Sequence, residues 1–118
     1  MERKSLRELT DHYFQKKKHF KLDYDHKIDK HNQFDIVITL QDKNEQNAKK
    51  IGVLVCDINR SIGLNVLRKV QCMLEDTEEI NEAILVGSNF SSQVRKFSKT
   101  YNIQILSEGE IKRETDLF

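Results

Sequence analysis

At 118 residues, with 37% apolar and 33% charged side chains, the chain has the size of one domain with a single small core, spanning residues 1–118. Its 20 Lys and Arg against 19 Asp and Glu leave a net charge of +1, which excludes a global pull toward nucleic acid and puts the weight on local patches. No apolar run is long enough to span a membrane, no secretory leader opens the chain, and two cysteines without motif spacing exclude a zinc site or a disulfide framework.

Ser5 and Glu8 have the spacing of a capping box, and Leu6, Leu9, Tyr13 and Phe14 recur at helical spacing, which predicts a first helix to about Lys18. Residues 20–28 alternate apolar and polar, the period of a strand. A polar turn over 29–33 leads to a second strand over 34–40, and a charged hairpin loop over 41–50 leads to a third over 51–58. This third strand is apolar on both faces and therefore belongs at the centre of a sheet.

Ser61, Ile62 and Gly63 turn into a helix over 64–75, with Leu64, Leu67, Val70 or Gln71, and Leu74 as its buried stripe. After a connection over 76–81, residues 83–87 form a short apolar strand. Ser91 or Ser92 caps a helix carrying Val94, Phe97 and Tyr101 at core spacing, and Asn102 is a left-handed stop. Residues 103–106 are the last strand, and 107–110 begin a final helical turn whose tail runs to Phe118. The order α-β-β-β-α-β-α-β reads as a mixed α/β sheet flanked by helices.

The chemistry-bearing residues are few. Asp35 opens the second strand and Asp57 ends the third, and an acid at the end of an apolar strand needs a partner or a metal. Two carboxylates on neighbouring strands suit Mg²⁺ or Mn²⁺. Lys16, Lys17 and Lys18 are a basic cluster, and Arg60, Arg68, Lys69, Arg95, Lys96 and Lys99 recur around the later helices, as a solvated face or as a local basic patch. His12, His19, His26 and His31 lack metal-ligand spacing and read as surface residues, and no glycine-rich phosphate loop exists. Gln71 lies near the stripe of its helix. Cys56 and Cys72 read as buried thiols of a cytoplasmic protein.

Taken in order, Asp35, then Asp57-Ile58-Asn59, then Ile62-Gly63-Leu64-Asn65-Val66, the apolar Ala83 to Val86, Phe90-Ser91-Ser92, and Ile103 to Leu106 with Ile111, resemble the PD-(D/E)XK nuclease superfamily, in its Mrr-like restriction-endonuclease branch. The resemblance covers roughly residues 34 to 111. It implies a restriction-endonuclease-like fold and a Mg²⁺- or Mn²⁺-dependent endodeoxyribonuclease. Asp35, Asp57 and the Ile58 carbonyl would be the metal ligands, Asn59 the water-orienting group, and Arg60, Arg68, Lys69, Arg95 and Lys96 the grip on DNA. It also implies a homodimer, or a separate DNA-reading or protein partner. The departure is Asn59, which stands where the superfamily has a lysine. Asparagine donates a hydrogen bond but brings no positive charge to the developing anion. The turn at Ile62 and Gly63, with its helix and the strand to Val86, is similar also to the non-catalytic jaw domain of the fifth-type RNA polymerase subunit. A module of this fold that binds DNA or protein without cleaving is therefore the alternative.

Overall fold

A computed structural model describes residues 5–16, 20–28, 32–40, 49–58 and 60–115. The expectations for Lys17, Lys18, His19, His31, Asn59, most of the 29–33 turn, the 41–48 loop and the tail at Phe118 lie outside the described residues. Helix α1 (Leu6–Gln15) starts where the capping box placed it, with the Ser5 hydroxyl accepting from the Glu8 N–H at 3.1 Å. It closes earlier than expected, at the C-cap Lys16. Strands β1 (Phe20–Lys27), β2 (Gln33–Leu40) and β3 (Lys49–Cys56) form an antiparallel meander. Helix α2 (Leu64–Glu75), strand β4 (Glu82–Gly87), helix α3 (Ser92–Phe97), a 3-10 turn (Ser98–Tyr101), strand β5 (Ile103–Ser107) and helix α4 (Glu108–Thr115) follow.

The five strands lie in the order β1-β2-β3-β4-β5, with β3, β4 and β5 parallel, so β3 is central as its two apolar faces require. The two β-α-β crossovers step the same way across the sheet. Right-handed connections then place α2 and α3 on one face. There Leu67, Val70, Met73 and Val94 meet Val37, Ala83, Leu85 and Ile103. On the opposite face Leu6 and Phe14 of α1 and Ile111 of α4 cover Ile36, Ile38, Val53 and Val86.

The inward-facing residues depart from the sequence reading in three places. On α2, Met73 is fully buried and Leu74 only partly so. The buried stripe runs Leu67, Val70 and Met73, three residues apart each time. Cys72, next to Met73, accordingly turns outward and is exposed, and Cys56 is half-buried, so neither thiol is fully enclosed. After α3 the chain tightens into the 3-10 turn, which changes the period and brings Ser98 inward while Phe97 stays 39% exposed. Asn102 ends that turn at φ 58° and ψ 36°, the left-handed stop its residue type favours.

Two close approaches pack the sheet along β3 and just beyond it. The Phe34 ring lies over Gly52, where an added Cβ would sit 2.7 Å from it, so only glycine lets β2 and β3 close beneath that ring. Beyond β3, Ile62 and Phe90 form a parallel bridge, with the Ile62 N–H donating to the Asn89 carbonyl and the Ser91 N–H to the Ile62 carbonyl, each at 3.0 Å. Gly87 accommodates the Ile62 side chain so closely that a Cβ would overlap it.

Candidate functional site

Asp35 sits at an irregularity in β2. Phe34 and Ile36 pack on opposite faces of the sheet, although residues two apart in a regular strand share a face. Across the ladder, between the pairs Tyr24–Ile36 and His26–Phe34, Asp25 stands at φ 53°, a left-handed conformation that aspartate tolerates better than most residues. The β2–β3 pairing runs no further toward the start of β2 than Ile36 opposite Val53. Asp35 continues the ladder with its side chain: Oδ2 accepts the Val55 N–H at 2.7 Å.

The other oxygen of Asp35 faces α1. Arg7 holds Asp25 Oδ1 at 2.7 Å through Nη2 and reaches Asp35 Oδ1 at 3.9 Å through Nη1. The Asp35 side chain is 18% exposed. It is therefore partly desolvated, anchored on one oxygen and only loosely paired on the other, an arrangement that leaves Oδ1 a lone pair for a cation.

Asp57 follows β3 directly and is exposed, while Ile58 packs partly against the α2 side of the core. Arg60 is exposed in the turn that leads to the Ile62 bridge. Cys56, directly before Asp57, has its thiol pushed up by burial, pulled down by the Lys69 charge and raised by Asp35. Asp35 and Lys69 thus both act on this one thiol, although they come from β2 and α2. Neither Cys56 nor Arg7 carried a sequence signal, because their neighbours are supplied by distant elements. Lys69 stood out only as one of several basic residues.

The remaining expected residues divide. Arg68 is exposed on α2. Arg95 and Lys96 are exposed in the last turn of α3, with Arg95 over the Phe90 ring at 6.0 Å and Lys96 over Phe97 at 5.8 Å. Arg95 lines a groove shared with Glu82, the first residue of β4, whereas Asp57 follows the last residue of the parallel β3. Gln71 donates to Glu75 along α2 at 3.5 Å and lines a cleft with Ile80 and Tyr101. His12 is exposed and His26 half-buried. Among the described residues, no three or more His, Cys, Asp or Glu side chains gather as metal ligands. No helix among them is long and apolar enough to cross a membrane.

No protein-family model and no curated protein matches the chain. Two solved structures share its fold. A repair endonuclease from Pyrococcus abyssi superposes with a TM-score of 0.61 at 16% identity, over 91% of this chain and 48% of its own. EndoMS, in its apo form, superposes with a TM-score of 0.56 at 14% identity, over 91% of this chain and 47% of its own. The mixed five-stranded sheet with helices on both faces is therefore a nuclease-like fold, as the ordered motifs led one to expect. The chain spans about half the length of each of these two proteins (48% and 47%).

Proposed function

We propose that this chain is a DNA-acting domain of the nuclease fold that hydrolyses phosphodiesters with a divalent cation. The observation that carries the reading is the placing of Asp35. Within a sheet shared with two repair endonucleases, its carboxylate is turned toward the end of β3, where Asp57 follows. Asp35, Asp57 and the Ile58 carbonyl would hold Mg²⁺ or Mn²⁺, a donor set of the hard-oxygen kind these ions take, with waters and a substrate phosphate completing it. A cation so held supplies an activated water and polarises the phosphodiester. The Val55 N–H fixes the Asp35 carboxylate in one orientation. Lys69, whose charge acts on the Cys56 thiol directly before Asp57, would supply the cation that Asn59 lacks and steady the developing negative charge. Arg60 and Arg68 contact the DNA backbone in a salt-sensitive way, whereas Arg95 lies beside Glu82 at the other end of the parallel strands.

Arg7 favours a second reading. Its guanidinium already faces Asp35, and it competes with any metal for Oδ1. In that reading the domain binds DNA or a protein partner without cleaving, as a homodimer or beside a separate DNA-reading chain. Calorimetric titration of Mn²⁺ separates the two. Binding by the wild type, tightened by Arg7→Ala and lost in Asp57→Ala, is the expected result. Absence of binding by both the wild type and Arg7→Ala contradicts the cation site and leaves the non-cleaving module.

A further inference from the structure

Strand β5 closes one side of the sheet, and its only strand partner among the described residues is β4. The Ala83 N–H donates to the Asn102 carbonyl at 3.3 Å. In a parallel ladder, alternate residues turn both backbone groups toward the same neighbour. Gln104 and Leu106 therefore bond to β4, and Ile103 and Ile105 present their N–H and C=O to the free side. Such an edge is a template for another strand.

The two faces of this edge are chemically different. On the α3 side lies a groove of about 570 Å³, lined by Arg95, Ser98, Lys99, Asn102, the β5 residues Ile103 to Ile105, and Glu82. Glu82 is paired with Lys49 at 2.9 Å, so its charge is already answered. Arg95 and Lys99 have no carboxylate partner among the described residues. On the α1 side lies a second cleft of about 240 Å³, lined by Phe14, Ile38, Ile51, Ile84 and Leu106 with Tyr13. Both clefts reach Gln104 and Ile105, the middle of the free edge.

A strand laid along β5 would send successive side chains to opposite faces. One set would meet Arg95 and Lys99, and the other would meet an apolar cleft. We propose that the free edge of β5 is a docking site for an extended peptide segment that alternates acidic and apolar residues, added to the sheet as a sixth strand. Main-chain hydrogen bonds supply the affinity of such an addition, and the flanking pockets supply its selectivity. A second copy of this chain fits less well, because its β5 brings Gln104 and no carboxylate to the basic rim. A nucleic-acid backbone would satisfy the basic rim and leave the apolar cleft unused.

The site is distinct from the proposed cation site, which lies past the other end of the parallel strands, so its test is independent of nuclease activity. The probe is a short synthetic peptide of alternating Glu and Val, titrated into the full chain and followed by amide NMR shifts. The expected result is binding that shifts the amides of Ile103 and Ile105 most. Arg95→Glu/Lys99→Glu protein, shown by circular dichroism to be folded, should bind about tenfold more weakly. The same peptide N-methylated at alternate residues should not bind. Equal binding of a Lys/Val peptide, shifts that map elsewhere, or no binding of any of these peptides overturns the proposal. So does light scattering that shows a dimer broken by Ile105→Pro, since the edge would then belong to a second copy.

Discussion

The Asp35 carboxylate has two tasks, and they can be separated. As a ladder acceptor it satisfies the part-buried Val55 N–H. As a charge it faces Arg7 and, in the proposed chemistry, a cation. Asp35→Asn keeps an acceptor oxygen for Val55 and discards the charge. Asp35→Ala discards both and leaves the N–H without a partner, at a cost of about 1–3 kcal/mol. Urea unfolding should therefore find Asp35→Ala clearly less stable than Asp35→Asn, while both lose any Mn²⁺ affinity. Equal stability of the two would show that the Val55 hydrogen bond contributes nothing. The acid itself was legible in the sequence, because it opens an apolar strand. Its companions Arg7 and Cys56 were not, because a carboxylate's neighbours on other elements leave no local spacing to read.

At the level of elements, the sequence spoke clearly wherever a residue type had a local cause. Ser5, Ser91 and Asn102 each mark a boundary, because capping and left-handed stops depend on one side chain and its own backbone. Burial was less legible. Met73 outranks Leu74, and Ser98 displaces Phe97, because both are decided by the surface the helix packs on. The closure of β2 on β3 depends on Gly52 beneath the Phe34 ring. Gly52→Ala should cost about 1–3 kcal/mol by overpacking, read as a lower thermal midpoint. An unchanged midpoint would mean that the ring moves aside freely.

Helix α1 is moored to β1 by the Tyr24 hydroxyl, which donates to Asp11 at 2.5 Å. That bond is the leading cause of the raised Tyr24 pKa, with the nearby Gln15 opposing it. A group whose folded pKa is raised stabilises the fold fully below its unfolded value, about 10 for tyrosine, and loses that contribution as pH rises through the folded value. Wild-type stability should therefore fall relative to Tyr24→Phe only at alkaline pH. Parallel pH profiles for the two proteins would remove the Asp11 bond from the account.

Across the whole molecule, the mixed sheet with its third strand at the centre and helices on both faces followed from the order of elements. The rules that fix them are general: short antiparallel connections, right-handed parallel crossovers and a doubly apolar central strand. What the order of elements cannot carry is which charges end up near one another. Lys69 acts on Cys56 at the end of β3, while Arg95 lines the groove at the β5 edge. The basic residues therefore serve two regions rather than one continuous stripe. Lys69→Ala and Arg60→Ala should weaken DNA binding and flatten its salt dependence. An unchanged salt slope in both would place the DNA elsewhere.

The most direct measurement is nicking of supercoiled plasmid in Mn²⁺ by the wild type, Arg7→Ala and Asp57→Ala side by side. Slow nicking by the wild type, faster nicking by Arg7→Ala and none by Asp57→Ala are expected. Intact plasmid with all three proteins, at a Mn²⁺ concentration that saturates any binding, would contradict this expectation and make this a nuclease fold that has given up cleavage.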